Sequence, residues 1–357
     1  MSLLKQHKKG GGLRMKPAFT DVVANERLRT RLGTDLQSGT LSHAYILEGM
    51  PGSGKHTITL RIAAALACDH RTDSTTPLPC LECPACRKIL SKNSPDVIYI
   101  NRGDKSTLGV EVIRDLRRDV YVAPNDISAK IYVIEDAHLM THQAQNAFLL
   151  TLEEPPPYVL FLLLCENASL LLETVRSRAP VLRTEAVSPE QITQYLCAHN
   201  ADAERLNRTD PSQLGEIVAA ADGSIGRAAT LLNPKLYKPL SDRRQAAREF
   251  IRLCSTSRNS VAVLRFLNSL SSKRDELIEQ CNVILLCLRD LLLCKQTEHA
   301  PLCFFPDREE ACAFAYSFTT PKLLSFCNAL NTAIDRLRVN ANVKLTLTTM
   351  AQECNLL

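Results

Sequence analysis

The first half of the chain alternates short apolar runs, rich in β-branched residues, with stretches of helical period. "HAYILE" (43–48), "VIYI" (97–100), "KIYVIE" (130–135), "VLFLLLC" (159–165) and "PVLRT" (180–184) read as strands. These runs are continuous rather than alternating, so both faces should be covered, which predicts a parallel sheet between layers of helices. Near residue 187 the strand pattern stops. "SPEQITQYLCAHN", "PSQLGEIVAAADG" and "IGRAATLLN" then read as three short helices. Ser188 with Glu190 and Gln191 supplies a start signal, and "ADG" a stop. "NPKLYKPLS" (233–241), punctuated by two prolines, reads as a linker, with helix to the end beyond it. Within 273–295, Leu277, Cys281, Ile284, Leu288 and Leu291 line one helical face, while Ile278, Leu285 and Leu292 line another. A helix apolar on two faces should be buried on two sides, inside a bundle or against another subunit. The expected organisation is a tail (1–16), an α/β core (17–187), a small helical segment (188–234) and a helical C-terminal domain (241–357).

Charge sharpens this picture. The formal net charge is +5, and residues 1–16 (MSLLKQHKKGGGLRMK) hold five Lys or Arg and no acid, so the rest of the chain is neutral. That body lacks the basic footprint of a protein whose own surface dominates nucleic-acid binding. Aromatics make up 5% of the residues and Trp is absent, which disfavours a base-stacking surface. The tail reads as a flexible extension, or as sequence upstream of a start at Met15. Its basic residues run into glycines rather than an apolar stretch, so no export signal is read, and a cytoplasmic location is expected. Fourteen cysteines should then be mostly reduced thiols; ten are scattered singly and read as small core residues.

The chemistry concentrates at three places. "GMPGSGKHT" (49–57) follows the first strand and opens a helix, the context that makes G-x-x-x-x-G-K a phosphate loop. Gly49, Gly52, Ser53 and Gly54 let backbone N–H groups converge on phosphate oxygens, and Lys55 would neutralise the β and γ phosphates. His56 stands where a magnesium-binding hydroxyl is needed, and imidazole is a poor ligand for that hard cation. Thr57 lies about 100° further round the helix and should point elsewhere. The second place is "IYVIEDAHLM" (131–140), a strand ending in Glu135 and Asp136. ATPases of this layout usually have Asp for the metal and then Glu for the attacking water; here the order is exchanged. A shift of about one ångström at such a centre can cost on the order of a hundredfold in rate.

The third is "CDHRTDSTTPLPCLECPAC", with Cys80, Cys83 and Cys86 at C-x-x-C-x-x-C spacing and Cys68 upstream. Two-residue gaps aim consecutive thiolates at one tetrahedral ion, so structural zinc held by all four is the expectation. An iron–sulfur cluster and free thiols are the alternatives.

Together, in this order, these features resemble the AAA+ clamp-loader subunits of bacterial DNA polymerase III. The resemblance runs from about residue 17 to the end, and "NAFLLTLEEPPPYVLFLL" carries it most specifically. It implies an α/β AAA+ P-loop domain with an inserted zinc module (68–86), a helical lid and an all-α collar that holds subunits together. It also implies partners: gamma/tau and delta subunits, the sliding clamp and, through the complex, primed DNA. The departures at His56, Glu135–Asp136 and Gly226, where a lid Arg would align with Arg227 one step away, resemble the delta-prime branch rather than the ATP-hydrolysing gamma/tau branch. The resemblance thus implies little or no intrinsic ATPase and weak binding of ATP or ADP. In the family a Ser-Arg-Cys motif projects its Arg into a neighbour's ATP site; "VRSRA" matches at Arg178, with Ala179 in place of Cys. A gamma/tau-type motor and a stand-alone P-loop NTPase or kinase are the rival readings.

Overall fold

The computed structural model describes residues 17–357 apart from 74, 257–259, 298–299, 301, 340, 355 and 357. The basic segment 1–16 lies outside the described residues. The chain divides into two compact units, 1–187 and 188–357.

The first unit is built on a five-stranded sheet: β1 (Ala44–Glu48), β2 (Val97–Ile100), β3 (Lys130–Ile134), β4 (Val159–Cys165) and β5 (Val181–Arg183). All pairings are parallel and the order is β2-β3-β4-β1-β5. The three inner strands are the most apolar runs, interrupted only by Glu48 at the end of β1 and Lys130 at the start of β3, and β3 and β4 are buried at every position. Because side chains alternate across a strand, each run feeds two cores. Tyr45, Leu47, Ile131, Val133, Leu160, Leu162 and Leu164 face α1 (Glu26–Gln37) and α2 (Lys55–Ala67), whose Leu28, Leu32, Ile58 and Ile62 complete that core. Ile46, Tyr132, Ile134, Phe161 and Leu163 fall in the other, together with Ile113, Leu116 and Phe148. Those three come from the helices that follow the next crossovers. In chain order they are α3 (Pro84–Leu90), which caps the cysteine segment, α4 (Val110–Asp119), α5 (His142–Glu153) and the short α6 (Glu173–Arg176). Continuous apolar strands therefore have a simple cause: neither face meets water. β2 and β5, at the edges, are only partly buried.

The second unit is all helix: α7 (Pro189–His199), α8 (Ala201–Thr209), α9 (Pro211–Ala220), α10 (Ile225–Leu231), α11 (Pro234–Thr256), α12 (Ser260–Ser269), α13 (Arg274–Gln296), α14 (Arg308–Tyr316), α15 (Thr320–Arg338) and α16 (Val343–Glu353). Ser188 and Gln191 form the reciprocal cap that opens α7. α9 ends where Asp222 and Gly223 adopt positive φ of 50° and 77°. α8 has no counterpart among the expected helices; only its Ala203 is buried, so it carries almost no apolar period.

The stretch 233–241 is a correction. It is not a linker but the opening of α11. Asn233 accepts the Lys235 N–H at 3.0 Å as a cap, and Pro234 takes the first helical position, where a missing N–H costs nothing. Pro239 lies inside the helix.

On α13, Leu277, Cys281, Ile284, Leu288 and Leu291 are buried, and Ile278, Leu285 and Leu292 pack partly buried against the same core. A polar network runs through this unit. Asp290, fully buried, accepts the N–H groups of Cys303, Phe304 and Phe305 at 2.9, 2.7 and 3.2 Å. Arg248 pairs with Glu216 at 2.8 Å and Glu310 at 3.1 Å, and the Tyr237 hydroxyl donates to Glu216 at 2.7 Å. Arg244, also buried, donates to the carbonyls of Cys303 and Phe304 and lies over the Phe304 ring. These bonds tie α9, α11, α13 and α14 to one another.

Candidate nucleotide and metal sites

Parallel strands bring their C-terminal ends to one edge of a sheet, and loops there form the usual ligand site of such folds. Here that edge carries 49–57 after β1, Glu135 and Asp136 after β3, and Glu166 after β4. β4 separates β1 from β3, so the loop and the two acids meet across one intervening strand.

The loop turns tightly, with Ser53 N–H donating to Met50 O at 3.1 Å and positive φ at Gly52 (74°) and Gly54 (90°). Gly49 is sterically required: a Cβ there would lie 1.8 Å from Thr184 Oγ1 and 2.7 Å from Ser53 Oγ. Those two hydroxyls bond each other at 3.0 Å, clamping the loop to the residue after β5. No side chain caps α2. Lys55 is buried, and its Nζ donates to Gly49 O at 2.5 Å and Met50 O at 3.0 Å. Burial lowers its pKa, with the charges of Glu166, Cys165 and Asp136 opposing.

His56 and Glu135 meet. His56 Nε2 lies 2.9 Å from Glu135 Oε1, across 79 positions of sequence. Asp136 takes left-handed backbone (φ 47°) and faces Arg102 at 3.6 Å. Thr57 is exposed on the outer side of α2. The two positions from which a magnesium ion would be held are thus engaged with each other, and one is an imidazole. The arrangement does not fit magnesium.

Arg178 follows α6. Its Nη2 donates to Glu153 Oε1 at 2.8 Å and its Nη1 to Thr174 O at 2.9 Å, with 35% of the side chain exposed. Ala179 is fully buried, so only a small residue fits there. Gly226 and Arg227 are exposed on α10, whose cap Ser224 accepts the Arg227 N–H at 3.1 Å.

The four cysteines converge. The sulfurs of Cys68, Cys80, Cys83 and Cys86 all lie within 4.8 Å of one another, and Cys80 and Cys86 are 3.9 Å apart. Four sulfurs about 2.3 Å from a tetrahedral ion would sit about 3.8 Å apart, so the set fits zinc. Leu81, at φ 66°, turns the backbone so that Cys83 N–H donates to Cys80 Sγ; Cys86 N–H likewise donates to Cys83 Sγ, both at 3.4 Å. Burial opposes ionisation of Cys80, but the N–H groups of Cys83 and Glu82, with the neighbouring thiols, outweigh it and lower its pKa to about 7. Burial pushes Cys68 and Cys86 up. All fourteen cysteines are free thiols; of the ten scattered ones, six are buried and four half-buried.

The structure adds Glu166, Thr184, Arg102 and Glu153, none of which was singled out from sequence. Glu166 had a faint signal, a charge directly after an apolar strand; the others had none. No helix among the described residues is long and apolar enough to cross a membrane.

Residues 24–188 match the protein family described as "DNA polymerase III, delta subunit". Among curated relatives, DNA polymerase III subunit tau/gamma of Haemophilus influenzae is 36% identical over 213 residues, which is 60% of this chain and 30% of that protein. Subunit tau of Bacillus subtilis is 34% identical over 215 residues, 60% of this chain and 37% of that one. Subunit delta' of Yersinia pestis is 37% identical over 143 residues, 40% of this chain and 41% of that one. The chain therefore spans about a third of the length of the tau-type relatives it matches. With its P-loop, parallel sheet and four-cysteine cluster, the segment 24–188 is a domain of the DNA polymerase III clamp-loader family.

Proposed function

We propose that the chain is a clamp-loader subunit of the delta-prime kind, which helps load the sliding clamp onto primed DNA without hydrolysing ATP efficiently itself. The observation that carries this reading is the hydrogen bond between His56 and Glu135. A hydrolysing subunit needs a metal and a positioned water at that place; here the two side chains satisfy each other. Its contribution to turnover is Arg178, offered in trans to the ATP site of a gamma/tau neighbour. Zinc, bound by Cys68, Cys80, Cys83 and Cys86, would be structural, because all four ligand positions are filled by protein. The delta subunit, gamma/tau and the clamp are the partners on this reading. Helices α7–α10 serve as the lid, and the helices from α11 onward, which opens at Pro234 rather than at 241, as the collar.

An arginine supplied in trans is worth roughly 10³–10⁵ in rate, or about 4–7 kcal/mol. In the native chain Arg178 forms a partly exposed ion pair with Glu153, whose loss costs the fold under about 1 kcal/mol. Arg178→Ala should therefore assemble normally with gamma/tau and delta, while the clamp- and DNA-stimulated ATPase of the reconstituted complex falls steeply. Unchanged turnover in an intact complex defeats the assignment. One observation favours a second reading, a gamma/tau-type motor: the tau-type relatives align over more of the chain than the delta' relative does. Robust magnesium-dependent hydrolysis by the isolated chain, lost in Lys55→Ala, would establish that reading instead.

A further inference from the structure

The nucleotide loop combines two halves that disagree. Its phosphate half is retained. Gly52 and Gly54 hold the positive φ values that curl the backbone, α2 presents its N-terminus with no side-chain cap, and Lys55 Nζ sits against the loop. Its metal half is not. Magnesium demands near-octahedral oxygen ligands at about 2.0–2.1 Å. His56 offers nitrogen, and its Nε2 is 2.9 Å from the Glu135 oxygen that would be the second protein ligand. A cation entering between them would have to break that bond and take a poor ligand in exchange. Asp136 is placed differently: its backbone is left-handed and its carboxylate lies 3.6 Å from Arg102 Nε rather than on His56.

We propose that this loop takes a nucleoside di- or triphosphate without a divalent cation, the His56–Glu135 pair closing the place of the metal. The inference rests on the reading that residues 49–57 receive a nucleotide, and it names how. The recognised part is the α/β-phosphate pair, held by backbone N–H groups and the start of α2, with Lys55 reaching the β phosphate. In magnesium-dependent sites the cation bridges the β and γ oxygens. Without that bridge the γ phosphate keeps only Lys55, whose Nζ is bonded back to the Gly49 and Met50 carbonyls, so ADP and ATP should bind nearly alike.

The test is calorimetric titration of the full chain with ATP and with ADP, each in magnesium and in excess EDTA. The expected dissociation constants agree within about twofold across the four conditions. Lys55→Ala abolishes the binding, which places it in the loop. His56→Thr, which frees Glu135 and restores a hydroxyl, makes ATP binding magnesium-dependent by about tenfold, or 1.4 kcal/mol. Wild-type binding that tightens tenfold with magnesium overturns the proposal, and so does an absence of binding in every buffer. Neither result touches the Arg178 measurement in the reconstituted complex, so failure here and failure of the proposed function are told apart. The wild-type comparison stands even if His56→Thr does not fold.

Discussion

Removing Cys86 separates a metal centre from a group of buried thiols by magnitude alone. Its residue is fully buried and its sulfur is 3.9 Å from Cys80 Sγ. If the cluster is merely packed cysteine, Cys86→Ala deletes one buried heavy atom, a cost of about 1 kcal/mol. For a unit of this size that lowers the melting temperature by about 2–4 °C. If the four sulfurs hold zinc, the substitution also removes a quarter of the coordination shell. Structural zinc contributes about 10–16 kcal/mol in small finger peptides, against a total domain stability of about 5–15 kcal/mol. Even a modest share of that, ~3 kcal/mol, shifts melting by roughly 10 °C. Cys281→Ala is the control: it is as buried as Cys86, but belongs to α13 of the second unit and is not one of the four clustered cysteines. The assay is thermal unfolding of wild type and both variants, with and without a strong chelator, beside elemental analysis. About one zinc per chain is expected in wild type and in Cys281→Ala, and a chelator should bring wild type down to the level of Cys86→Ala. Metal-free wild-type protein, or two variants with equal melting temperatures that ignore the chelator, would refute the reasoning; an iron-containing, coloured preparation would change the metal.

Three further outcomes follow from the geometry. Asp290→Ala leaves three buried backbone N–H groups without their acceptor. It should destabilise the helical unit by about 3–5 kcal/mol in denaturant unfolding, and Asp290→Asn, which keeps an acceptor oxygen, by less. Gly49→Ala drives a Cβ against Thr184 and Ser53. Nucleotide titration should show lost binding while the circular dichroism spectrum persists. Burial alone would raise the Glu216 pKa, but bonds from Tyr237 and Arg248 outweigh it and hold it below its ordinary value of 4.5. With the folded value below the unfolded one, its stabilisation is complete above about pH 4.5 and is lost as pH falls through the folded value. Glu216→Gln should flatten that acid limb of the stability curve for residues 188–357; an unchanged limb would show that Glu216 does not contribute to it.

Much of this architecture is local in origin and was therefore legible along the chain. Apolar runs at 131–134 and 159–165, rich in β-branched and aromatic or leucine residues, read as central strands of a covered sheet, and the structure buries every position of both, together with Lys130 at the start of the first. The Ser188–Gln191 cap, the two apolar faces of α13 and the strand–loop–helix around Lys55 are each encoded within a few turns of backbone. So was the convergence of Cys80, Cys83 and Cys86, since two-residue gaps bring three thiols together without long-range help. The prolines at 234 and 239 misled for the same reason that they usually inform. Proline is read as a break, yet Pro234 takes the first helical position, where it is compatible with the helix and Asn233 caps it; Pro239 stands inside α11, a place that proline as a break signal excludes.

What the sequence determined was which residue types stand where: a glycine-rich loop ending in Lys55, a histidine after it, the acids Glu135 and Asp136 after a strand, four closely spaced thiols and an arginine after the α6 turn. What only the tertiary structure decided was whom each of them meets. His56 and Glu135 are 79 positions apart, Ser53 and Thr184 are 131, and Arg178 and Glu153 are 25. Parallel strands join through crossovers, so their C-terminal ends become neighbours only when the sheet order and register are set. No periodicity along the chain records that order, and β4 entering between β1 and β3 is what lets an imidazole on one crossover close onto a carboxylate on another.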